Sequence, residues 1–324
     1  MQPLRQIVFS LMFLGVLSAA HAQNPAHTKW PQRPVRVVVP FPPGGSTDIV
    51  ARLVAQRLTD EYGQQFVVDN RGGAGGTIGS EIAARATPDG YTIAIVPSSY
   101  ATSAALYKLS YDPVKGIAPI SMIGVGAFIL GVHPAVKANT LKEFIDLLRA
   151  KPGSLNFGAP GTGSTPHLAA ELLKQMSGTS FVHVPYKGDS PALADLLGGQ
   201  IQALFASGPV FIPQIKAGKI RALAVTTEKR AAVMPDLPSI SEMFPGYSAS
   251  GWNGMWAPAG TPKEIITRLN KSIAEFLKRP EIQDRLRADS REPIPTTPDE
   301  FARIIANDIA TWTKVVKTGN IRIN

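Results

Sequence analysis

The stretch VVPFPPGGSTD (residues 38–48) predicts the fold, and a second stretch of the same kind, NFGAPGTGSTPH, occupies residues 156–167. In each, an apolar strand-like run ends, glycines allow a tight turn, and a Ser-Thr pair opens a segment with helical spacing. We expect Ser46 or Thr47 to cap the first helix and Ser164 or Thr165 the second. Helix N-termini attract carboxylate and phosphate, so two such turns in separate halves of the chain favour an anion site over ordinary βα turns.

Outward from these junctions, strand-like and helix-like segments alternate along the chain. Strands are predicted at residues 35–40, 66–68, 92–97, 155–159, 201–205 and 222–226, and helices at 47–62, 80–86, 141–150, 168–176, 192–197, 263–278 and 298–317. This alternation predicts an α/β protein with mainly parallel sheets flanked by helices. A length of 324 residues is typical of about two domains.

The composition excludes several classes of function. The chain has no cysteine, so disulfides, thiolate metal sites and a cysteine nucleophile are ruled out. Its five histidines form no metal-ligand pair, and no complete dinucleotide loop, phosphate loop or nucleophile elbow is found, so we expect no cofactor and no metal. The net charge of +9 is spread over segments such as 216–229, 263–278 and 285–291 with acids between the cations. We interpret these segments as solvated surface and expect no nucleic-acid partner.

Residues 1–22 have the pattern of a secretory signal peptide. Arg5 precedes an apolar run at residues 7–17, and small residues at Ala20 and Ala22 mark a cleavage site. The apolar run is about half the length needed to span a bilayer, which disfavours a retained anchor. We therefore predict export to the periplasm.

Several further stretches, read together with the two junctions, resemble the extracytoplasmic solute receptors of tripartite tricarboxylate transporters, the Bug or TctC-like family. The matching stretches are WPQRPVR (30–36), PFPPGGSTD (40–48), DNRGGAGG (69–76), PDGYT (88–92), GTGSTPHLAAE (161–171), VPYKG (184–188) and WAPAGTP (256–262). The resemblance implies a two-lobed periplasmic binding protein of type II, a "Venus flytrap". We expect the chain to pass from the first lobe to the second near residues 121–132 and to return near residues 222–226. Lobe 1 is then discontinuous, at residues 23–124 and 227–324, and lobe 2 spans 125–226.

The resemblance further implies a receptor, not an enzyme, that closes on a small organic acid and passes it to a membrane permease. A module that signals to a sensor kinase stays an alternative, and a hydrolase is disfavoured because its motifs are incomplete. A monomer is expected. The ligand would be held mainly by backbone N–H groups and hydroxyls of both lobes. The candidate ligand-binding residues are Phe41, Pro42, Gly44, Gly45, Ser46, Asp48, Gly75, Gly76, Thr77, Ser98, Ser99, Gly161, Thr162, Gly163, Ser164, His167 and Asp189.

Three of these positions leave alternatives open. Asp48 is expected to pin the first loop by accepting backbone N–H bonds rather than to touch an anion. Asp189 replaces the small residue that the family commonly has there; it either caps a helix or faces the cleft, where it would accept a ligand cation such as the amine of an amino acid or the ring nitrogen of an aromatic acid. Trp252 and Asn253 either cover the ligand or, for Trp252, pack in the core.

Overall fold

The computed structural model describes residues 30–232, 234–288, 291–319 and 321. The predicted signal peptide lies outside these residues. Within Pro31–Asn324, the described residues form one compact unit. No helix among the described residues is both long and apolar enough to cross a membrane.

The described residues form ten strands and ten α-helices, with short 3-10 helices at Ala74–Gly76 and Ile240–Glu242. The strands are β1 (Val35–Val39), β2 (Phe66–Asn70), β3 (Thr92–Pro97), β4 (Ile117–Val132), β5 (Asn156–Ala159), β6 (Val182–Pro185), β7 (Ala203–Ser207), β8 (Arg221–Val225), β9 (Ser250–Pro258) and β10 (Arg291–Pro293). The helices are α1 (Ser46–Tyr62), α2 (Thr77–Ala84), α3 (Ser99–Leu106), α4 (Leu141–Ala150), α5 (Thr165–Ser177), α6 (Asp189–Leu197), α7 (Gly208–Lys216), α8 (Lys263–Phe276), α9 (Pro280–Ala288) and α10 (Pro298–Thr318).

The strands fall into two groups that share β4. In the first group the order is β2-β1-β3-β9-β4, and β10 also pairs with β4. In the second group the later half of β4 pairs with β7 and β8, and the order continues from β7 to β5 and β6. The change of partner falls between Ala127, which pairs with Ser250 of β9, and Phe128, which pairs with Ser207 of β7.

Each group combines parallel and antiparallel pairs, so the fold is mixed α/β. The pairs of β1 with β2 and β3, and of β5 with β6 and β7, are parallel as expected. The pairs of β4 with β7, β8, β9 and β10, and of β9 with β3, are antiparallel. These antiparallel pairs differ from the expectation of mainly parallel sheets. The reason is the path of the chain: β4 leaves the first group while β9 re-enters it, so the two strands run in opposite directions.

The local sequence explains why these elements form. Val37, Val38 and Val39 of β1 are fully buried, as in parallel strands covered on both faces. In α4 the buried residues are Leu141, Phe144, Ile145 and Leu148, one apolar face at helical spacing. Such burial removes apolar surface from water at roughly 25 cal/mol per Å² and anchors the strand–helix units that carry the loops.

Five helices begin directly after a strand of their own group. They are α1 after β1, α3 after β3, α5 after β5, α6 after β6 and α7 after β7. Each of these helices therefore starts near the carboxyl end of a strand, the edge at which α/β folds bind ligands.

Candidate ligand-binding site

A cavity of about 130 Å³ lies where these five helices begin. The lining residues at the helix starts are Gly45, Ser46 and Thr47 at α1, Ser98 and Ser99 at α3, Pro166 at α5, Gly188, Asp189, Ser190 and Pro191 at α6, and Ser207 before α7. The remaining lining residues are Phe41, Pro42, Pro43, Pro97, Phe128, Pro160, Lys187, Gly251, Trp252, Asn253 and Arg291. Because the positive end of each helix dipole is directed toward its first turn, the cavity favours a negatively charged occupant.

The first loop is held in place by Asp48. Its carboxylate accepts a hydrogen bond from Gly44 N at 3.0 Å, from Arg52 Nε at 2.9 Å and from Asn70 Nδ2 at 3.0 Å. Burial raises the pKa of this carboxyl, but these hydrogen bonds and the charge of Arg52 outweigh burial and lower the pKa below its usual value. Gly44 has φ of 82°, a conformation that favours glycine. Asp48 therefore pins the loop, as expected, and neither Asp48 nor Gly44 lines the cavity.

No side chain among the described residues caps the start of α1. Gly45 is the N-cap residue, so the expectation that Ser46 or Thr47 caps this helix is wrong. Both hydroxyls are used elsewhere: Ser46 Oγ accepts a hydrogen bond from Arg291, and Thr47 Oγ1 accepts one from Asn253 Nδ2 at 3.1 Å. Gly45, Ser46 and Thr47 all line the cavity, so the first turn of α1 is open to a ligand.

The second loop is occupied by contacts within the protein. Ser164 caps α5, as expected, by accepting a hydrogen bond from His167 N at 3.3 Å. The backbone N of Gly163 donates to His167 Nδ1 at 3.1 Å, and the carbonyl oxygens of Gly163 and Thr162 accept from Thr102 Oγ1 and Tyr107 OH. Gly161, Thr162, Gly163, Ser164 and His167 do not line the cavity. The loop reaches it only through Pro160 and Pro166.

His167, which accepts a hydrogen bond from Gly163 of this loop, is stacked on His183 with 3.9 Å between the ring centroids. Burial, the neighbouring His183 and the charge of Lys174 lower the pKa of His167 to about 3. Burial and Lys174 lower the pKa of His183 to about 4. His167 is thus a neutral acceptor that shapes the loop.

Ser98 and Ser99 line the cavity and also join the two strand groups. Ser98 Oγ is 2.8 Å from Thr165 Oγ1, and Ser99 Oγ accepts a hydrogen bond from Thr165 N at 3.1 Å. These contacts connect the start of α3 with the start of α5.

Gly75, Gly76 and Thr77 line a separate cavity of about 10 Å³, which they share with Phe41. The carbonyl oxygen of Gly75 accepts a hydrogen bond from Ser103 Oγ at 2.8 Å, and Thr77 Oγ1 donates to the carbonyl oxygen of Ala74 at 2.9 Å. A space of this size has room for about one water molecule. The structure therefore does not bring this predicted triplet into the larger cavity.

Asp189 is the first residue of α6 and lines the large cavity. Gly188 is the N-cap residue and no side chain caps this helix, so the alternative in which Asp189 is the N-cap is wrong. Its Oδ2 atom would be 3.6 Å from a Cβ placed on Gly45. Burial raises the pKa of Asp189 to about 6, although the positive charge of Arg291 opposes this rise.

Arg291 is a charged lining residue that is absent from the predicted set. It was assigned to a solvated surface, but only 7% of it is exposed. Its strand, β10, is three residues long, too short to show the alternation that identifies a strand. The pairing of Arg291 with Gly126 of β4 brings the guanidinium beside α1.

Trp252 and Asn253 also line the cavity. Trp252 is both a lining residue and a core residue: it is buried, its ring meets Phe301 edge-on at 5.3 Å, and its Nε1 donates to Asp308 Oδ2 at 2.6 Å. The Oδ1 atom of Asn253 is buried and has no hydrogen-bond partner among the described residues.

Two strand groups that share β4, with an anion-attracting cavity at the starts of helices from both groups, define the class of two-domain periplasmic solute-binding proteins. The sequence profile of the tripartite tricarboxylate transporter family receptor matches residues 50–321. The chain belongs to this family of periplasmic solute-binding receptors, which confirms the resemblance described above.

Individual relatives extend over nearly the whole chain. Protein BugT of Bordetella pertussis is 37% identical over 314 residues, which cover 96% of each chain. The solved structure of R. palustris Rpa4515 with adipate is 40% identical, with a TM-score of 0.87, and the match covers 90% of this chain and 99% of that one. MatC from Rhodopseudomonas palustris with bound malate is 30% identical, with a TM-score of 0.83, covering 88% and 99%.

Proposed function

We propose that this protein captures a small organic carboxylate in the large cavity and delivers it to a tripartite-type membrane permease. The observation that carries the proposal is the convergence of five helix starts and the buried Arg291 on one cavity. Unpaired N–H groups and a guanidinium are the donors that a carboxylate accepts from. The adipate of Rpa4515 and the malate of MatC support a carboxylate ligand for this chain too.

The first turn of α1 is the proposed anchor for the carboxylate. It has no side-chain cap, and Gly45, Ser46 and Thr47 line the cavity. In contrast, the first turn of α5 already has Ser164 as its cap and donates Thr165 N to Ser99. Of the predicted residues, we propose ligand contact for Phe41, Pro42, Gly45, Ser46, Ser98, Ser99 and Asp189. For the other predicted residues, Gly44, Asp48, Gly75, Gly76, Thr77, Gly161, Thr162, Gly163, Ser164 and His167, we propose a role in shaping the loops around them.

The proposed lobes are residues 23–124 with 227–324, and residues 125–226. The change of pairing partner in β4 between Ala127 and Phe128 supports the first crossing, and the end of β8 at Val225 supports the second. Since the cavity is lined by residues of both strand groups, a ligand in it would selectively stabilise the closed arrangement.

The remaining parts of the proposal concern compartment, assembly and chemistry. We propose that residues 1–22 direct export to the periplasm and are removed, and that the receptor is a monomer. We also propose that it binds without turnover. The absence of His167 from the cavity lining, together with its low pKa, supports this because a general base must reach the substrate.

A thermal-shift screen tests this function. A ligand that binds only the folded state at 100 times its Kd stabilises it by about 2.7 kcal/mol. We expect at least one small carboxylate to raise the Tm of the wild type and to raise it less in Ser46→Ala. The control is Ser154→Ala, which removes an exposed hydroxyl from a local turn outside the cavity. The panel consists of mono-, di- and tricarboxylates and amino acids. The proposal is contradicted if no compound raises the Tm of the wild type, or if the rise in Tm is the same in Ser46→Ala as in the wild type.

A further inference from the structure

We propose that the ligand is a carboxylate that also carries an ammonium group, and that Asp189 binds the ammonium while Arg291 and the first turn of α1 bind the carboxylate. This inference rests on the proposed function, because it concerns the same cavity. It follows from the placement of opposite charges beside neighbouring residues of one turn, Gly45 and Ser46.

Asp189 is a charged acceptor without a donor. Asp189 lines the cavity, and no described residue donates a hydrogen bond to its carboxylate, although the positive charge of Arg291 acts on it. A carboxylate in an enclosed space is unfavourable unless a donor or cation meets it. The start of α6 stabilises its charge in part, but the first turn of a helix leaves the oxygens on the cavity side available. A ligand ammonium group supplies up to three donors and a positive charge.

Arg291 also lines the cavity, at the first turn of α1. It donates to Ser46 Oγ, whereas Asp189 Oδ2 lies next to Gly45, the preceding residue. A ligand seated on this turn would therefore have a cation and an anion at neighbouring positions. The third charged residue of the lining, Lys187, is exposed at the surface.

A second acceptor points to the same chemistry. Asn253 is 1% exposed, its Nδ2 is used by Thr47, and its Oδ1 has no donor among the described residues. A dicarboxylate has no N–H group for Asn253 or Asp189, whereas an amino group supplies N–H donors of the kind that either residue accepts. The acceptors of this cavity thus favour an amine-bearing acid over one that carries only carboxylates.

Matched ligand pairs test the inference. Calorimetric titration at pH 8 compares 2-aminoadipate with adipate and aspartate with succinate, so that within each pair only the amino group differs. We expect the amino member of the preferred pair to bind the wild type at least about tenfold more tightly. Asp189→Asn should abolish this preference by weakening the amino member while leaving its partner equal or tighter. Asp146→Asn, which removes an exposed carboxylate of α4, should leave the preference unchanged.

The outcomes separate the two proposals. If the wild type binds the deaminated member equally or more tightly, the inference is wrong while the carboxylate receptor stands. If Asp189→Asn weakens both members alike, Asp189 has no selective role and the inference is also wrong. Binding of no member of either pair, nor of any other acid, would overturn the proposed function itself. The comparison within the wild type needs no variant, so poor folding of Asp189→Asn leaves the inference testable.

Discussion

Thr165 at the start of α5 makes two contacts with the start of α3: its N donates to Ser99 Oγ at 3.1 Å, and its Oγ1 lies 2.8 Å from Oγ of Ser98, the N-cap residue of α3. The three residues are buried, and they belong to different strand groups. In a low-dielectric interior, such hydrogen bonds are costly to break without replacement. The contact therefore holds the two sides of the cavity together at the point where a ligand would sit.

Thr165→Val should weaken this connection without changing side-chain shape. We expect the free energy of unfolding to fall by about 1–3 kcal/mol, because Ser98 Oγ loses a buried partner. Ligand affinity should fall as well, since the closed arrangement becomes less favourable. Thr179→Val is the matched control: it removes a contact with Ser177 inside the second strand group, and ligand affinity should not change. Chemical denaturation and titration calorimetry provide the two measurements, and unchanged affinity in Thr165→Val would argue against a closing role.

Asp48→Asn should loosen the first loop. The pKa of Asp48 is lower in the folded protein than its ordinary value of 3.8. Its contribution to stability is therefore fully present above pH 3.8 and is lost as the pH falls through the lower, folded-state pKa. At pH 7 we expect a loss of about 1–3 kcal/mol and a weaker ligand affinity. Asp60→Asn is the control, since this exposed carboxylate of α1 accepts, among the described residues, only from Gln56. Equal unfolding curves for the two variants at pH 7 would show that Asp48 does not pin the loop.

Gly254→Ala should destabilise the protein strongly. A Cβ at this position would stand 2.0 Å from Cζ of Phe301, which is fully buried in α10. Because the side chain cannot move into solvent, overpacking of this kind costs about 1–3 kcal/mol or more. The double variant Gly254→Ala/Phe301→Leu should recover part of the loss relative to the sum of the single variants. Additive effects in thermal unfolding would contradict the proposed clash.

Acid should destabilise the protein through its stacked histidines. The folded-state pKa values of His167 and His183, about 3 and about 4, lie below the usual value of 6.5. The unfolded chain therefore binds more protons below pH 6.5, and stability falls as the pH drops from there toward 4. His183→Phe keeps a ring for stacking but cannot be protonated, so its decline in the free energy of unfolding between pH 6.5 and 4 should be smaller by roughly 2 kcal/mol. The same pH slope as the wild type would show that His183 is not buried as a neutral group.

The elements with clear periodicity were predictable from sequence. The predicted strand at residues 92–97 and helix at residues 141–150 agree with β3 and α4, and Ser164 is the cap of α5. In contrast, β4 and β9 were not recognised as strands. Both are rich in glycine and lie inside a sheet, so their residues are mostly buried and show no simple alternation.

The candidate site was predictable only in part, because its local turns can be recognised in the sequence and its long-range contacts cannot. The sequence predicted both glycine–hydroxyl turns, because turns and caps depend on neighbouring residues, and the family resemblance marked Asp189 as unusual. It did not separate the open first turn of α1 from the capped first turn of α5, since the partners of α5 come from residues far away in the chain, such as Ser99.

The sequence by itself determined the alternation of strands and helices, the position of the turns and the absence of cysteine chemistry, because local spacing and composition are sufficient for each of these. Only the tertiary structure decided which turn faces the cavity and which charges enter it. Arg291 and Asp189 are 102 positions apart, and they come to the adjacent residues Ser46 and Gly45 only because β10 pairs with β4 and α6 begins at the shared edge. Such a relationship depends on strand pairing between distant segments, which no local pattern records.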